Sequence, residues 1–494
     1  MNLIGDPWVP VLGADGQARE VGLAEIYERG EEILDLAVQP LQRIALMRLL
    51  LCITHAALDG PKDEEEWRAC RARIGPESLE YLRRRQDRFE LYGERPFLQV
   101  AGLELVQNAR LDKLDFGLAA GNNDTLYDHA ANGEPRVHAP AWQALNLLVM
   151  QLFGQSSKAT QVHWGGKLTA ANHKLAPAGA ESAMHALLRA DSLLASVWLN
   201  MVIREDVSAP WGKPVWEVEI PHHESSQAEE VRASFLGRLV PLARGILLVP
   251  GATDFTLVEG LQYEKPPAGH ETTATVVLKK RDGKQVPGYL SVEPSRHPWR
   301  DAPSVLALAG AGIDGGPPAL RHLRRNPDLG TVDVWLGGLA LERSAKLVDT
   351  AEWVFPVPCE LIGDEALTTY EAGVKEANND EVKVRAAVNA WWAELKKARQ
   401  GQSGKHRDDS LKGYREGATG EYWSLLDARH RVLVDAACSA DKDLSPWRST
   451  VRAAMFQAYE ASCPHTTPRQ IQAFARGRRA LYLKSERSAE EEDS

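Results

Sequence analysis

The chain changes character after Pro356-Val357-Pro358, and this change limits what its 494 residues can fold into. Before the prolines, short β-like runs such as 275–278 and 332–336 alternate with helical segments and with turns rich in proline and glycine. After them only helical patterns follow, up to an acidic tail. Domains usually hold roughly 100–200 residues, so two or three are expected. We predict an α+β fold, with an irregular mixed α/β domain at 1–358 and a C-terminal four-helix bundle at 359–494.

Four helical segments are predicted in the second part. The first spans 366–398, and a polar Gly/Ser/Lys stretch at 401–413 separates it from the second at 420–438. Ser445-Pro446 and Thr467-Pro468 each place an N-cap residue before a proline at the first helical position, which indicates the starts of the third and fourth helices. Four helices with short connections are typical of a bundle.

Two features of the first part can be read from local pattern. Residues 8–12 and 19–21 flank Asp15-Gly16, a common hairpin turn. Residues 39–58 carry an apolar face too broad for a surface helix, so a largely buried helix is predicted. Its most apolar run is interrupted by Arg48 and is shorter than the ~20 residues that span a bilayer. The N-terminus lacks the basic and apolar regions of a signal peptide, so a cytoplasmic protein without a membrane segment is expected.

The overall charge restricts how this chain could bind nucleic acid. The net charge is −10 and the pI is near 5.8. A protein that holds DNA alone through bulk electrostatics is usually basic. The balance therefore argues against a free-standing DNA-binding protein, but it permits a subunit that touches nucleic acid at local patches while partners supply most phosphate contacts. The five cysteines are scattered and include no CxxC pair, so neither a disulfide framework nor a zinc site is predicted.

Few motifs point to an enzyme. The run Gly310 to Gly315 matches GxGxxG, and a nucleotide-dependent oxidoreductase that uses this turn is the alternative function. A dinucleotide site needs a helix directly after the glycines, whereas Gly316-Pro317-Pro318 follow here, so a glycine-rich turn is favoured. His222-His223-Glu224 suggests a metal, but adjacent histidines cannot share a helix face and no third ligand is placed. We predict no catalytic residue, no metal and no cofactor.

A long polar loop at 117–139 is more informative. Loops of this length inside a compact domain are usually functional or disordered. It contains Gly121-Asn122-Asn123 and, a few residues later, Tyr127. An aromatic ring in a polar loop is a candidate for stacking on a nucleic-acid base. The alternative is that Leu126 and Tyr127 pack against the domain, and the residues alone leave both interpretations open.

An ordered set of sequence blocks supplies a resemblance. The blocks lie at 2–11, 42–55 (QRIALMRLLLCITH), 95–99, 121–129 (GNNDTLYDH), 298–301 and 335–340. Together they resemble, over essentially the whole chain, the CasA family, the large subunit of the type I-E CRISPR surveillance complex called Cascade. The resemblance implies a non-enzymatic protein that recognises the protospacer-adjacent motif (PAM) in double-stranded DNA. It also implies a role in strand opening and R-loop formation, recruitment of a helicase-nuclease, and crRNA and the other Cascade subunits as partners.

The resemblance also assigns candidate contacts, residue by residue. The loop at 121–129 resembles the one that meets the crRNA 5′ handle and the neighbouring core subunit. The family places a glycine-rich DNA-facing loop after the helix that ends at Phe153 and a strand-separating wedge after Gly337-Gly338, and some members insert a lysine into the minor groove. The candidate crRNA-handle and core contacts are Asn122, Asn123, Tyr127 and His129. The candidate DNA and PAM contacts are Gln155, Ser156, Lys158, Lys265, Glu342 and Arg343.

The chain departs from the family pattern at several of these positions. The loop after Phe153 contains few glycines, and Gly165-Gly166-Lys167 is a second candidate for it. Lys279 and Lys280 are alternatives to Lys265. Some members place a glutamine at the wedge where this chain has glutamate and arginine, and some carry a four-cysteine zinc site that this chain cannot form. The PAM sequence itself is therefore left open.

Overall fold

The computed structural model describes residues 1–116, 136–264, 271–308, 315–342, 346–397 and 406–482. The chain divides into two compact units: the first comprises Met1–Pro298 with Ser304–Val357, and the second comprises Trp299–Pro303 with Pro358–Ser494. The first unit mixes helices and strands and the second is helical, so the predicted fold class is confirmed.

The elements of the described residues are as follows. The helices are α1 (Leu23–Arg29), α2 (Pro40–Leu58), α3 (Glu64–Cys70), α4 (Ile74–Arg84), α5 (Pro140–Phe153), α6 (Leu193–Asn200), α7 (Ser226–Ala233), α8 (Phe235–Leu239), α9 (Ala302–Leu306), α10 (Arg321–Arg325), α11 (Asp364–Lys397), α12 (His406–Asp427), α13 (Arg431–Cys438), α14 (Ser445–Ser462) and α15 (Pro468–Ala480). The strands are β1 (Val9–Gly13), β2 (Ala18–Val21), β3 (Ile33–Leu36), β4 (Ala109–Arg110), β5 (Ser157–Lys158), β6 (His163–Trp164), β7 (Lys167–Leu168), β8 (Asn172–His173), β9 (His185–Arg189), β10 (Arg244–Leu247), β11 (Asp254–Glu259), β12 (Val276–Arg281), β13 (Lys284–Tyr289), β14 (Thr331–Glu342) and β15 (Lys346–Pro358).

Several small sheets make up the β part of the first unit. The strand orders are β2-β1-β3, β10-β11-β4 and β15-β14-β9, with two-stranded pairs β12-β13, β5-β8 and β6-β7. The predicted N-terminal hairpin is confirmed, with Val9 opposite Val21 and Gly16 at φ 75° in the turn, where a residue without a Cβ adopts that conformation at no steric cost. The β-like run at 332–336 falls in β14, and the run at 275–278 overlaps β12, which begins at Val276.

Helix α2 forms the centre of the first unit. The side chain of Gln39 and that of Gln42 close a capping box at its start. By length and composition α2 passes as a membrane-spanning helix, but 72% of its most apolar window is buried inside the protein, as in a core helix. Arg48 is buried, forms an ion pair with Glu271, and donates to the carbonyl of Leu239 at 2.8 Å. The predicted largely buried helix is confirmed.

The second unit contains five helices among its described residues, where the sequence predicted four. The predicted first and fourth helices correspond to α11 and α15, and Thr467 caps α15 by accepting from the N–H of Gln470. The predicted helix at 420–438 was wrong as a single element, because α12 begins at His406 and ends at Asp427 and a separate α13 follows. Aromatic packing explains the early start: the Tyr414 ring lies edge-on to Trp391 of α11 at 4.9 Å.

Candidate nucleic-acid interface

The described residues include only part of the predicted contact set. Gln155, Ser156 and Lys158 are described, and Glu342 is the last residue of β14. The other predicted contacts lie outside the described residues: Asn122, Asn123, Tyr127, His129, Lys265 and Arg343.

The loop that carries Gln155, Ser156 and Lys158 begins at Gly154, directly after α5. A side chain at Gly154 has no room, because a Cβ there would lie 2.8 Å from the guanidinium of Arg244 and 2.8 Å from the carbonyl oxygen of Met150. Lys158 lies opposite Asn172 in the short β5-β8 pair, and its side chain is exposed. The segment is therefore a small antiparallel pair rather than irregular loop.

The buried side chain of Arg244 is hydrogen-bonded to the backbone of this loop. Arg244 donates to the carbonyl oxygen of Gln155 at 3.0 Å and to that of Lys174 at 2.7 Å. Its charge is paired with the carboxylate of Glu259 at 3.3 Å, and both side chains are 2% exposed. Gln151 exchanges two hydrogen bonds with the Arg244 backbone, at 2.8 and 2.9 Å. The two backbone segments that contain Gln155 and Lys174 are thus both bound to the guanidinium of Arg244.

His173 completes this buried network. Its Nδ1 lies 3.0 Å from a carboxylate oxygen of Glu259. Burial lowers the pKa of His173, and although Glu259 acts in the opposite direction the pKa remains below its ordinary value, so the imidazole is neutral near pH 7. Because the carboxylate can only accept, the proton of the neutral ring lies on Nδ1 and Nε2 is left as an acceptor.

Lys279 and Lys280, the two alternatives to Lys265, lie next to each other in strand β12 but have different surroundings. Lys279 and Arg281 contact the carboxylate of Glu181, at 3.0 and 2.6 Å. That carboxylate also accepts from the N–H of Tyr289 at 3.1 Å. Lys280 is exposed, and because side chains alternate along a strand it lies on the other face. Of these two lysines, Lys280 is the one whose charge is turned to solvent.

Glu181 and the next residue connect this hairpin to β14. Both have left-handed backbone conformations, with φ values of 55° for Glu181 and 57° for Ser182. Such conformations cost about 1–3 kcal/mol each outside glycine and occur where the surrounding structure imposes them. Ser182 accepts from the N–H of Leu341 at 2.9 Å, one residue before Glu342. No motif in the sequence marks these two residues, and their only local signal is a polar pair between short apolar segments.

Gly337 and Gly338 lie within strand β14. A Cβ at Gly337 would lie 2.4 Å from the Trp335 ring, and one at Gly338 would lie 2.4 Å from the carbonyl oxygen of Ala183. The absence of side chains therefore lets β14 approach the segment that contains Ser182. β14 ends at Glu342, and its neighbour in the sheet, β15, begins at Lys346.

The surroundings of the two enzyme-like motifs do not match the sites they suggest. Of the GxGxxG run only Gly315 is described, and it forms an isolated antiparallel bridge with Val276. The helix α9 precedes the run and a short 3-10 helix, Pro318–Leu320, follows it, whereas a dinucleotide site has a strand before and a helix after. Within the described ranges, no group of three or more His, Cys, Asp or Glu side chains is placed to hold a metal ion, including at His222-His223-Glu224.

Comparison with known proteins identifies the same family as the sequence blocks. The family model described as CRISPR-associated protein Cse1 matches residues 2–458. A relative from Thermus thermophilus, described as CRISPR-associated protein CasA/Cse1, is 28% identical, over 96% of this chain and 95% of its own length.

Solved structures agree with this match at the level of the fold. The crystal structure of CasA from Thermus thermophilus superimposes with a TM-score of 0.76 at 24% identity, covering 97% of this chain and 98% of that one. A chain of a structure described as a CRISPR RNA-guided surveillance complex also has a TM-score of 0.76, at 18% identity, covering 98% of this chain and 99% of that one.

Proposed function

The chain belongs to the CRISPR-associated Cse1 family, also called CasA, and on this premise we propose that it is the large, non-enzymatic subunit of a type I-E Cascade complex. In this role it binds crRNA and the other Cascade subunits in the cytoplasm. It recognises the protospacer-adjacent motif in double-stranded DNA, helps to separate the strands and form the R-loop, and recruits the helicase-nuclease effector.

The observation that carries the DNA-facing part of this proposal is the connection through Glu181 and Ser182. One side chain holds the hairpin that presents Lys280, and the next holds β14 just before Glu342. A basic hairpin and the end of a strand pair are thereby fixed next to each other. A subunit that both recognises a duplex and opens it needs a part that binds the duplex and a part that separates the strands, held in fixed positions relative to each other. Unstacking costs a few kcal/mol per base step, and binding must offset that cost.

The charge supports a division of labour inside a complex. With a net charge of −10, the isolated chain should bind short duplex DNA weakly. In the assembled complex, binding should be tight and should fall steeply with salt, because partner subunits supply most phosphate contacts. Guide pairing then reads the sequence, while this subunit reads only a short duplex element. Nanomolar, sequence-specific binding by the isolated chain at physiological salt would contradict this division.

The test of the proposal is co-purification. The tagged chain is expressed with the remaining Cascade subunits and a CRISPR array, and the eluate is analysed for small RNA and for the other subunits. We expect a complex that contains crRNA and that binds matching duplex DNA only beside a suitable motif. A matched culture without the array controls for adventitious RNA. Elution of the chain alone, or with a bound nicotinamide nucleotide and cofactor-dependent turnover, would instead support an oxidoreductase.

A further inference from the structure

A cavity of about 390 Å³ lies between the loop after α5 and the β12-β13 hairpin. Ligand sites typically have volumes of ~300–1,000 Å³ and mostly apolar walls with a few polar groups. We propose that this cavity receives one unpaired nucleobase of the opened target DNA. The proposal rests on the function proposed above and adds to it a site for a single extruded base.

The walls of the cavity suit a flat aromatic ligand. Tyr263 and Tyr289 line it, and both side chains are buried, at 8% and 4% exposure. Pro177 and Pro287 also contribute to the walls. The Tyr263 hydroxyl accepts from the N–H of Leu242 at 3.0 Å, so its ring is fixed before any ligand arrives. Every base has a π-face that stacks on such side chains, irrespective of its identity.

The polar groups of the cavity can satisfy the edge of a base. The hydroxyl of Tyr289 is buried and has no hydrogen-bond partner in the described parts of the chain. An unpaired buried hydroxyl is costly, so a ligand atom that bonds to it is favoured. His173 also lines the cavity, and with its proton on Nδ1 it offers Nε2 as an acceptor. Ser156, at the rim, adds a hydroxyl group. These groups match the mixed donors and acceptors of a base edge.

A lysine at the rim is suitably placed for the attached phosphate. Lys174 lines the cavity and its side chain is exposed. Its backbone is fixed on both sides, because its carbonyl accepts from Arg244 at 2.7 Å and its N–H donates to Glu259 at 3.0 Å. A nucleotide whose base enters the cavity leaves its phosphate outside, where an ammonium group stabilises it. The predicted DNA contact Ser156 lies on the same rim, which favours DNA over an unrelated small molecule as the ligand.

The experiment uses the assembled complex with its crRNA. Target duplexes carry 2-aminopurine at successive single positions beside the motif, on either strand, because the emission of this base rises when it leaves the helical stack. We expect a rise at one position. Ala180→Leu, which extends an apolar side chain into the cavity, should abolish it and should lower affinity for the opened target about ten- to a hundredfold, the effect of one lost stack. Ala18→Leu, at an exposed position of β2, is the matched control and should behave as wild type.

The possible outcomes separate this proposal from the proposed function. If the complex assembles and binds its motif but no position shows a rise, or the rise persists unchanged in Ala180→Leu, no target base occupies the cavity and the base-pocket proposal is wrong. If the wild-type chain fails to assemble with crRNA, the proposed function is wrong and the pocket proposal falls with it. Should Ala180→Leu fold poorly, Tyr289→Phe removes only the unpaired hydroxyl. It should reduce the emission rise, and full retention there would overturn the proposal.

Discussion

Ser182 accepts a hydrogen bond from the backbone N–H of Leu341 at 2.9 Å, while its neighbour Glu181 holds the β12-β13 hairpin. Two consecutive residues in strained backbone conformations therefore determine the relative positions of a basic hairpin and of the end of β14. The stability of this connection follows from the charge of Glu181, and it can be tested separately from DNA binding.

We predict that Glu181→Gln loosens the hairpin. Burial alone would raise the pKa of Glu181, but its hydrogen bonds and charge interactions with Lys279 and Arg281 outweigh burial and lower it. A lowered pKa contributes stability that is complete above the ordinary value of 4.5 and is lost as the pH falls through the folded pKa. At neutral pH the free energy of unfolding of the variant should be about 1 kcal/mol lower than that of the wild type. The loss is small because these charged groups are partly exposed to solvent.

Hydrogen exchange and urea unfolding check this prediction. Amides of β12 and β13 should exchange faster in Glu181→Gln at neutral pH, and the unfolding curves of variant and wild type should converge below the ordinary glutamate pKa. Glu293→Gln, a nearby exposed glutamate, should change neither measurement. Equal exchange rates in Glu181→Gln and wild type would show that the carboxylate does not hold the hairpin.

Two buried histidines should make the protein sensitive to mild acid. Burial is the main cause that lowers the pKa of His185 to about 4 and that of His55 to about 3. Unfolded, both titrate near 6.5, so between about pH 6.5 and 4 the unfolded chain binds protons that the folded chain does not. The free energy of unfolding should therefore fall as the pH falls through this range, by up to about 1.4 kcal/mol per pH unit for each histidine.

Urea unfolding at several pH values in this range measures that slope. His185→Gln should make the slope shallower, since one of the buried histidines that contribute to it, among them His173, no longer titrates. His163→Gln, which replaces an exposed histidine of β6, should leave the slope unchanged. A wild-type stability that stays constant from neutral pH down to about pH 5 would contradict the assignment of both imidazoles as buried and neutral.

The buried pair of Arg244 and Glu259 should be essential to the stability of the loop that carries Gln155 and Lys158. Arg244→Met leaves the carboxylate of Glu259 without its arginine and the carbonyls of Gln155 and Lys174 without their donor. Breaking a buried pair on one side costs about 3–5 kcal/mol, and replacing both partners costs less. We expect Arg244→Met to be strongly destabilised and Arg244→Met/Glu259→Gln to recover part of the loss. Arg84→Met, at an exposed arginine, controls for the substitution, and equal stability of the two single variants would refute the prediction.

Local sequence pattern predicted several helices and strands, but it could not predict the long-range contacts that join them. α2 and the β1-β2 hairpin were predicted correctly because a broad apolar face and a turn dipeptide are each encoded by residues close together in the sequence. Arg244 lies 89 residues from Gln155, and Ser182 lies 159 residues from Leu341, so no local signal joins either pair. The start of α12 was missed for the same reason. The polar composition of 401–413 favours a turn, but packing of Tyr414 on Trp391, which is distant in sequence, favours a helix.

Attachment to the crRNA-bearing core should depend on Tyr127. This residue lies outside the described residues, and its assignment rests on the resemblance of the loop at 121–129 to the family loop that meets the crRNA handle. Tyr127→Ala should weaken retention of the subunit on the core about ten- to a hundredfold, since one base–aromatic stack is worth about 1–3 kcal/mol. Tyr482→Ala, which removes an exposed tyrosine of the second unit, should be retained normally. Equal retention of both variants in a pull-down would reject the assignment.

The final prediction concerns the separation of the strands. Arg343 follows Glu342 directly in sequence, where the family places its wedge, although Arg343 itself lies outside the described residues. A long planar cation can enter a narrow groove or stack on the first unpaired base, whereas an exposed ion pair with Glu342 would have little energetic effect. A wedge offsets unstacking, so Arg343→Ala should slow R-loop formation more than it weakens initial duplex binding.

A target with mismatched bases beside the motif separates the two roles of Arg343. Such a target is already open, so it should restore the rate of R-loop formation by Arg343→Ala to that of wild type, whereas a defect in motif binding would persist on it. Arg321→Ala, which breaks an ion pair with Asp206 at 2.5 Å elsewhere in the first unit, controls for loss of an arginine. If Arg343→Ala opens fully paired targets at the wild-type rate, Arg343 is not the wedge. The wedge must then be sought at Glu342 or in the loop from Gln155 to Lys158, which Arg244 holds in place.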